Sequence, residues 1–214
     1  MSKEISLDDI KKFWPEKAPD INIVQKYVSK YEKAKIVIKY GGNVLIDRKV
    51  FNNFIADIDV LNKLGLSIIV VHGGGPRIKR ELDKKKIITK FISGLRVTDK
   101  NIIDTVEEVL IDFNIDIVDS LKKLGSEATS FHTKTDNIIE VKPERKELGF
   151  VGIPEKININ LIEDALSKNK IPIIAPLGLD EKNQTFNING DTAASAIAKK
   201  LKARRLILMT NVEG

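Results

Sequence analysis

Ile68-Ile-Val-Val-His-Gly-Gly-Gly-Pro76 is the stretch that decides the fold. Its apolar, mostly β-branched run reads as a strand buried on both faces, the pattern of a parallel sheet. The run ends at His72. Three glycines follow, then a proline suited to the first turn of a helix. A strand that breaks on glycines and reopens as a helix turns backbone N–H groups into one concavity, beside the positive end of the helix. Such a junction suits an anion, most often a phosphate, but also serves as a plain tight connection in an α/β domain. A second junction, Ile36-Val-Ile-Lys-Tyr-Gly-Gly-Asn43, tips the balance. Two glycine junctions on two strands, one carrying a lysine, read as two walls of one phosphate site.

Working outward, strands and helices alternate. Lys35–Tyr40 and Ser67–His72 read as strands, with an amphipathic helix over Lys49–Leu64 between them, ended by Gly65. Pro76–Lys86 is a helix and Ile87–Val97 an irregular or hairpin segment. A long helix spans 100–124, capped by Thr98 or Asp99 and ended by Gly125. Residues 127–153 read as antiparallel hairpins inserted into a parallel domain. Then come a helix over Asn160–Asn169, a strand over Ile171–Pro176, a helix from Asp191 to Lys202 and a last strand, Arg205–Thr210. This order predicts an α/β fold with a mostly parallel sheet. Before it, 2–14 and 21–33 read as two helical pieces broken at Trp14-Pro15 and Pro19, so residues 1–34 form a helical arm.

The composition excludes several classes. With no cysteine among 214 residues, disulfides and thiolate metal sites are out. The net charge of +6 is mostly lysine in a chain also rich in Ile and Asn. With few aromatics and one short basic run, Lys84-Lys-Lys86, this reads as coding bias rather than nucleic-acid binding. No apolar run approaches the ~20 residues of a membrane helix, and Met1-Ser-Lys-Glu-Ile5 is no signal core. A cytoplasmic protein is the expectation.

Five residues outside the glycines carry candidate chemistry. Lys39, in a buried strand just before the glycines, needs a negative partner. Asp191 opens a helix, where aspartate is a favoured cap. Asn187 and Asn189 alternate before it on one face of an extended segment, more polarity than capping requires. Arg96, between Leu95 and Val97, suits a carboxylate gripped by two parallel hydrogen bonds. His72 reads as a satisfied strand-end histidine. Neither glycine junction is a Walker A loop or a dinucleotide fingerprint, since Gly73-Gly-Gly-Pro-Arg-Ile78 lacks the last glycine.

Taken together, Lys39-Tyr-Gly-Gly-Asn43, Val71-His-Gly-Gly-Gly-Pro76, Gly94-Leu-Arg-Val-Thr-Asp99 and Asn187-Ile-Asn-Gly-Asp-Thr-Ala-Ala194 resemble the amino acid kinase family, where they occur in this order. Gly94–Asp99 is the most specific piece and resembles the members that phosphorylate N-acetyl-L-glutamate. Leu148-Gly-Phe-Val-Gly152 and Thr210-Asn-Val-Glu-Gly214 look like further landmarks. The resemblance implies a three-layer αβα sandwich with a mainly parallel central sheet and inserted β-hairpins, its kinase domain over residues 35–214. It implies transfer of the γ-phosphoryl group of MgATP to the side-chain carboxylate of N-acetyl-L-glutamate, a step of arginine biosynthesis. Sibling kinases acting on carbamate, glutamate, aspartate or UMP, and a non-catalytic acyl-amino-acid-binding module, are the alternatives.

Carried over residue by residue, Lys39 would stabilise the transferring phosphoryl group and Asp191 would orient the catalytic lysines. Gly41, Gly42, Gly73 and Gly74 would line the phosphate; Gly74, Gly75, Arg96 and Asn187 would hold the acceptor. Asn211 would lie near the nucleotide, where the family usually has aspartate. No protein-held metal is implied; Mg2+ would come with ATP. The arm resembles the helix that interlaces dimers of arginine-inhibited members into hexamers, so a homo-oligomer is expected. Family members continue beyond the last motif with the rest of the nucleotide lobe and a second catalytic lysine. The sequence therefore reads as the first part of a longer protein, inactive alone.

Overall fold

A computed structural model describes residues 7–12, 14–16, 18–21, 23, 30–41 and 47–209. Gly42, Asn211, the motif 210–214 and much of the arm, including 24–29, lie outside the described residues. Within the arm, α1 (Leu7–Lys11) is a short helix.

The core is a five-stranded parallel sheet of β1 (Lys35–Tyr40), β2 (Ser67–His72), β5 (Ala128–Phe131), β8 (Ile171–Ile174) and β11 (Arg205–Leu208). Its order is β11-β1-β2-β8-β5. Alternate residues of each strand serve opposite faces. Ile36, Ile38 and Tyr40 of β1, with Ile68 and Val70 of β2, pack against α2 (Arg48–Lys63) and α4 (Ile103–Lys123). Val37, Ile69 and Val71 face the other way, onto α5 (Ile159–Ser167) and α6 (Gly190–Leu201). These are the two outer layers of a sandwich. Phe113 of α4 is fully buried against Tyr40, Phe51 and the edge of His72.

Local sequence sets the element ends. Asp47 caps α2 by accepting from the N–H groups of Lys49 and Val50. Pro76 sits in the first turn of α3 (Gly75–Lys84). A second, four-stranded sheet lies outside the central one, in the order β10-β9-β6-β7. It is built from β6 (Ile139–Pro143), β7 (Gly152–Ile157), β9 (Leu177–Leu179) and β10 (Thr185–Asn187). β3 (Phe91–Ile92) and β4 (Leu95–Arg96) form the expected small hairpin.

Three expectations change. Residues 128–131 are not part of an inserted hairpin: β5 pairs parallel with β8 and ends the central sheet, and the antiparallel pairing expected here begins at β6, which pairs with β7. The stretch Ala-Thr-Ser-Phe lacks the apolar run that marks the other central strands, and its membership comes from the α4 crossover. Neither Thr98 nor Asp99 caps the long helix, which begins at Ile103. The Asp99 carboxylate instead accepts from the Asn101 N–H in a turn before it. Asp191 is not a cap either. Asn189 caps α6, accepting from the N–H groups of Asp191 and Thr192, which leaves Asp191 in the first turn with its carboxylate free for another partner.

Truncating Phe113 opens a cavity between α4, β1 and β2 with little local freedom to close. Phe113→Ala should lower unfolding free energy by about 3–5 kcal/mol, measured as the shift of the urea midpoint at constant m-value.

Candidate active site

The site starts from strand register. β1 and β2 pair residue for residue, with Tyr40 opposite His72, so both glycine turns leave the sheet at one level. The Gly73 N–H donates to the Tyr40 carbonyl at 2.6 Å, one rung past the strands.

Lys39 has the parity of Val37 and therefore faces the α6 layer. Its Nζ lies 3.0 Å from Asp191 Oδ1, with only 14% of the lysine side chain exposed. The lysine stem folds over Gly41, where an added Cβ would come within 2.5 Å of both Cε and Nζ. Gly190 lies beside them: a Cβ there would make ordinary contact, 3.5 Å from Lys39 Cε and 3.8 Å from Gly73 Cα. The lysine, the carboxylate and the Gly73 turn thus meet in one place. The N-terminus of α6 adds its dipole beside Asp191, where a carboxylate is favoured.

On the other side of the turn, Gly74 packs directly on α4; a Cβ would come within 2.4 Å of Leu110 Cδ2. Gly75 meets nothing and opens into space. Its carbonyl accepts from Arg96 Nη2 at 3.3 Å, while Arg96 Nη1 donates to the Thr89 hydroxyl at 2.8 Å. The guanidinium lies over the Phe91 ring, 4.7 Å from its centroid. It is 8% exposed and, among the described residues, has no carboxylate within ion-pair distance. Burial pushes its pKa below the ordinary arginine value and Asp83 opposes that; the group stays charged. Asn187 ends β10, its Nδ2 donating to the buried Thr98 hydroxyl at 3.4 Å.

Beneath the turn, His72 is fully buried. Asn114 Nδ2 can only donate, so His72 Nε2, 3.2 Å away, is the acceptor and Nδ1–H donates to the Gly73 carbonyl at 3.0 Å. Burial holds its pKa down to about 4, so the ring is neutral and braces the turn, as expected of a satisfied strand-end histidine. The same Asn114 donates to the Ile173 carbonyl and accepts from the Ser130 hydroxyl.

Sequence reasoning missed Asn114 and Glu107. The Glu107 carboxylate accepts from the Thr133 and Thr185 hydroxyls and sits 3.6 Å from Lys134 Nζ, bracing β10 against α4. Both are polar residues on the apolar stripe that runs through Ile103, Leu110, Ile117 and Leu121. That interruption was the available signal. Among the described residues no group of three or more carboxylates or imidazoles could hold a metal ion, and no helix is long and apolar enough to cross a membrane.

Residues 34–214 match the amino acid kinase family. The chain belongs to that family. An acetylglutamate kinase from Pelagibacter ubique (strain HTCC1062) is 52% identical over 200 residues, covering 94% of this chain and 69% of that protein. One from Roseobacter denitrificans (strain ATCC 33942 / OCh 114) is 40% identical over 96% of this chain and 72% of its own length. Among solved structures, smu.665 from Streptococcus mutans UA159 superposes with a TM-score of 0.78 at 33% identity, over 85% of this chain and 74% of that one.

The neutral, buried His72 gives stability a defined pH dependence. Its folded pKa of about 4 lies below the ordinary 6.5. Between those values the unfolded chain binds the proton and the folded one does not, so stability falls as pH drops through this window. The loss approaches roughly 3 kcal/mol at the acid end. Urea melts from pH 7.5 to 4.5 should show it, and His72→Gln should flatten that part of the profile.

Proposed function

We propose that the protein to which these residues belong catalyses ATP-dependent phosphorylation of the side-chain carboxylate of N-acetyl-L-glutamate, the reaction named by its acetylglutamate kinase relatives. The observation that carries the assignment of the site is Arg96. A buried guanidinium with no carboxylate within ion-pair distance among the described residues, across a glycine turn from the Lys39–Asp191 pair, suits a substrate anion on one side and a phosphate on the other.

In this reading Arg96 and Asn187 grip the acceptor, with Gly74 and Gly75 beside it. Gly41, Gly42 and Gly74 supply backbone donors around the phosphoryl group, while Gly73, whose N–H is taken by the Tyr40 carbonyl, lines it without donating. Lys39 Nζ, held by Asp191, keeps further N–H donors for the phosphoryl oxygens. A side-chain carboxylate is ionised at neutral pH, so an oxygen lone pair attacks the γ-phosphorus while the bond to the β,γ-bridging oxygen breaks. ADP leaves with that electron pair, and no general base is required. Two anions must approach, so positive charge and aligned donors between them provide the catalysis. Mg2+ would be carried on the nucleotide's phosphate oxygens, and Asn211 would lie near the nucleotide.

The test is acyl-phosphate formation, trapped with hydroxylamine, with acetylglutamate compared against glutamate, aspartate, carbamate and UMP. Activity confined to another acceptor would overturn the assignment. Arg96→Ala should raise the acetylglutamate KM by about one to two orders of magnitude, since a charge-assisted hydrogen bond is worth roughly 1.5–3 kcal/mol, and leave the ATP KM nearly unchanged. Lys39→Ala should instead lower kcat by at least ~10²-fold, the scale for removing one transition-state donor. Steady-state kinetics with each substrate varied in turn separates the two.

A further inference from the structure

The motif Leu148-Gly-Phe-Val-Gly152 and the threonine of Gly94-Leu-Arg-Val-Thr-Asp99 have no part in the chemistry above, yet they meet. Thr98 is completely buried. Its hydroxyl donates to the Arg96 carbonyl at 3.0 Å and accepts from Asn187 Nδ2 at 3.4 Å. Its backbone forms a second connection. The Thr98 N–H donates to the Leu148 carbonyl at 3.0 Å, and the Phe150 N–H donates to the Thr98 carbonyl at 2.7 Å. The Phe150 carbonyl in turn accepts from the Asn187 N–H at 2.9 Å. Gly149 makes this approach possible. Its φ is +68°, and a Cβ would come within 2.5 Å of the Thr98 carbonyl oxygen. The Phe150 ring meets the Phe186 ring of β10 edge-on, 5.7 Å between centroids.

We infer that Thr98 is a positioning residue that couples Arg96 to Asn187 and so sets the span of the acceptor pocket. The inference rests on the acceptor-binding reading of those two residues. Arg96 and Asn187 lie on strands of different sheets, β4 and β10, that do not pair with each other. Thr98 and the Leu148–Val151 segment are what join them. A hydroxyl has one proton, and here it goes to the Arg96 carbonyl, so the lone pairs are left for Asn187. One amide N–H of Asn187 is thereby fixed toward Thr98, and its second N–H and its Oδ1 remain for the acceptor.

Thr98→Val keeps the shape and removes the hydroxyl; Thr98→Ser keeps the hydroxyl. Measured on the full-length enzyme, Thr98→Val should raise the acetylglutamate KM about tenfold, near the upper range for one neutral hydrogen bond, with the ATP KM unchanged. Thr98→Ser should stay within about twofold of the parent. In a double-mutant cycle with Asn187→Ala the effects should be non-additive. An unchanged acceptor KM in Thr98→Val, an equal rise for both substrates, or additivity would overturn the inference. If Thr98→Val does not fold, Phe150→Leu probes the second connection. It should raise the acceptor KM about threefold, and no change would likewise overturn the proposal. Arg96→Ala distinguishes the two levels. A Thr98 failure beside a strong Arg96 effect removes only this coupling, whereas an acceptor KM indifferent to Arg96→Ala removes the site reading and this inference with it.

Discussion

The parallel register of β1 on β2 is the constraint from which the site follows. Tyr40 stands opposite His72, and the Gly73 N–H closes the next rung onto the Tyr40 carbonyl. Gly41 and Gly73 therefore follow side by side at the carboxyl ends of neighbouring strands, the usual location for ligands of open α/β sheets. The same register fixes which face Lys39 occupies. A slip of one residue would send its ammonium toward α2 and α4, into the aromatic cluster around Phe113. In the observed register it reaches Asp191 at the opening of α6. Strand pairing and the charge pair are thus one specification, made by the alternation of Ile36, Val37, Ile38 and Lys39.

Much of this was legible because periodicity and turn chemistry act locally. The apolar run 68–71, the glycines after it and Pro76 each constrain their own backbone, and the strand, turn and helix they imply are all present. The need of Lys39 for an anion could be read from a cation in an apolar strand. Its partner could not be derived from spacing, because 151 residues of chain lie between them and only the sheet order brings α6 to β1. Motif resemblance supplied that pairing in advance of the physics.

The errors have a common cause. Thr98, Asp99 and Asp191 were expected to cap helices, because short polar side chains before an apolar run usually do. Each has a tertiary or turn partner instead: the Arg96 carbonyl, the Asn101 N–H and Lys39. Asn189 takes the capping role at α6, and this leaves the Asp191 carboxylate available to the lysine. Asn114 and Glu107 were hidden in the long amphipathic stripe of α4, where polar residues are easily taken for the edge of the solvent face. Ala128–Phe131 failed for the opposite reason, being too polar a strand to announce its place in the central sheet.

The charge balance of the site follows from what burial permits. His72 lies fully buried under the turn and is held neutral, so it supplies geometry through the Gly73 carbonyl and no charge. The positive charge of the site comes from the Lys39 ammonium and the Arg96 guanidinium. Lys39 has its anion in Asp191. Among the described residues Arg96 touches a hydroxyl, a carbonyl and the face of an aromatic ring, with no carboxylate within ion-pair distance. Keeping a guanidinium buried on neutral partners costs stability that a carboxylate would restore. In the proposed reading the cost is tolerated because the group, held by Thr89, Gly75 and Phe91, would need no rearrangement when an anion arrives. An acceptor carboxylate entering this pocket would meet a donor fork already desolvated and aimed, which is the condition under which a charge-assisted bond is strongest.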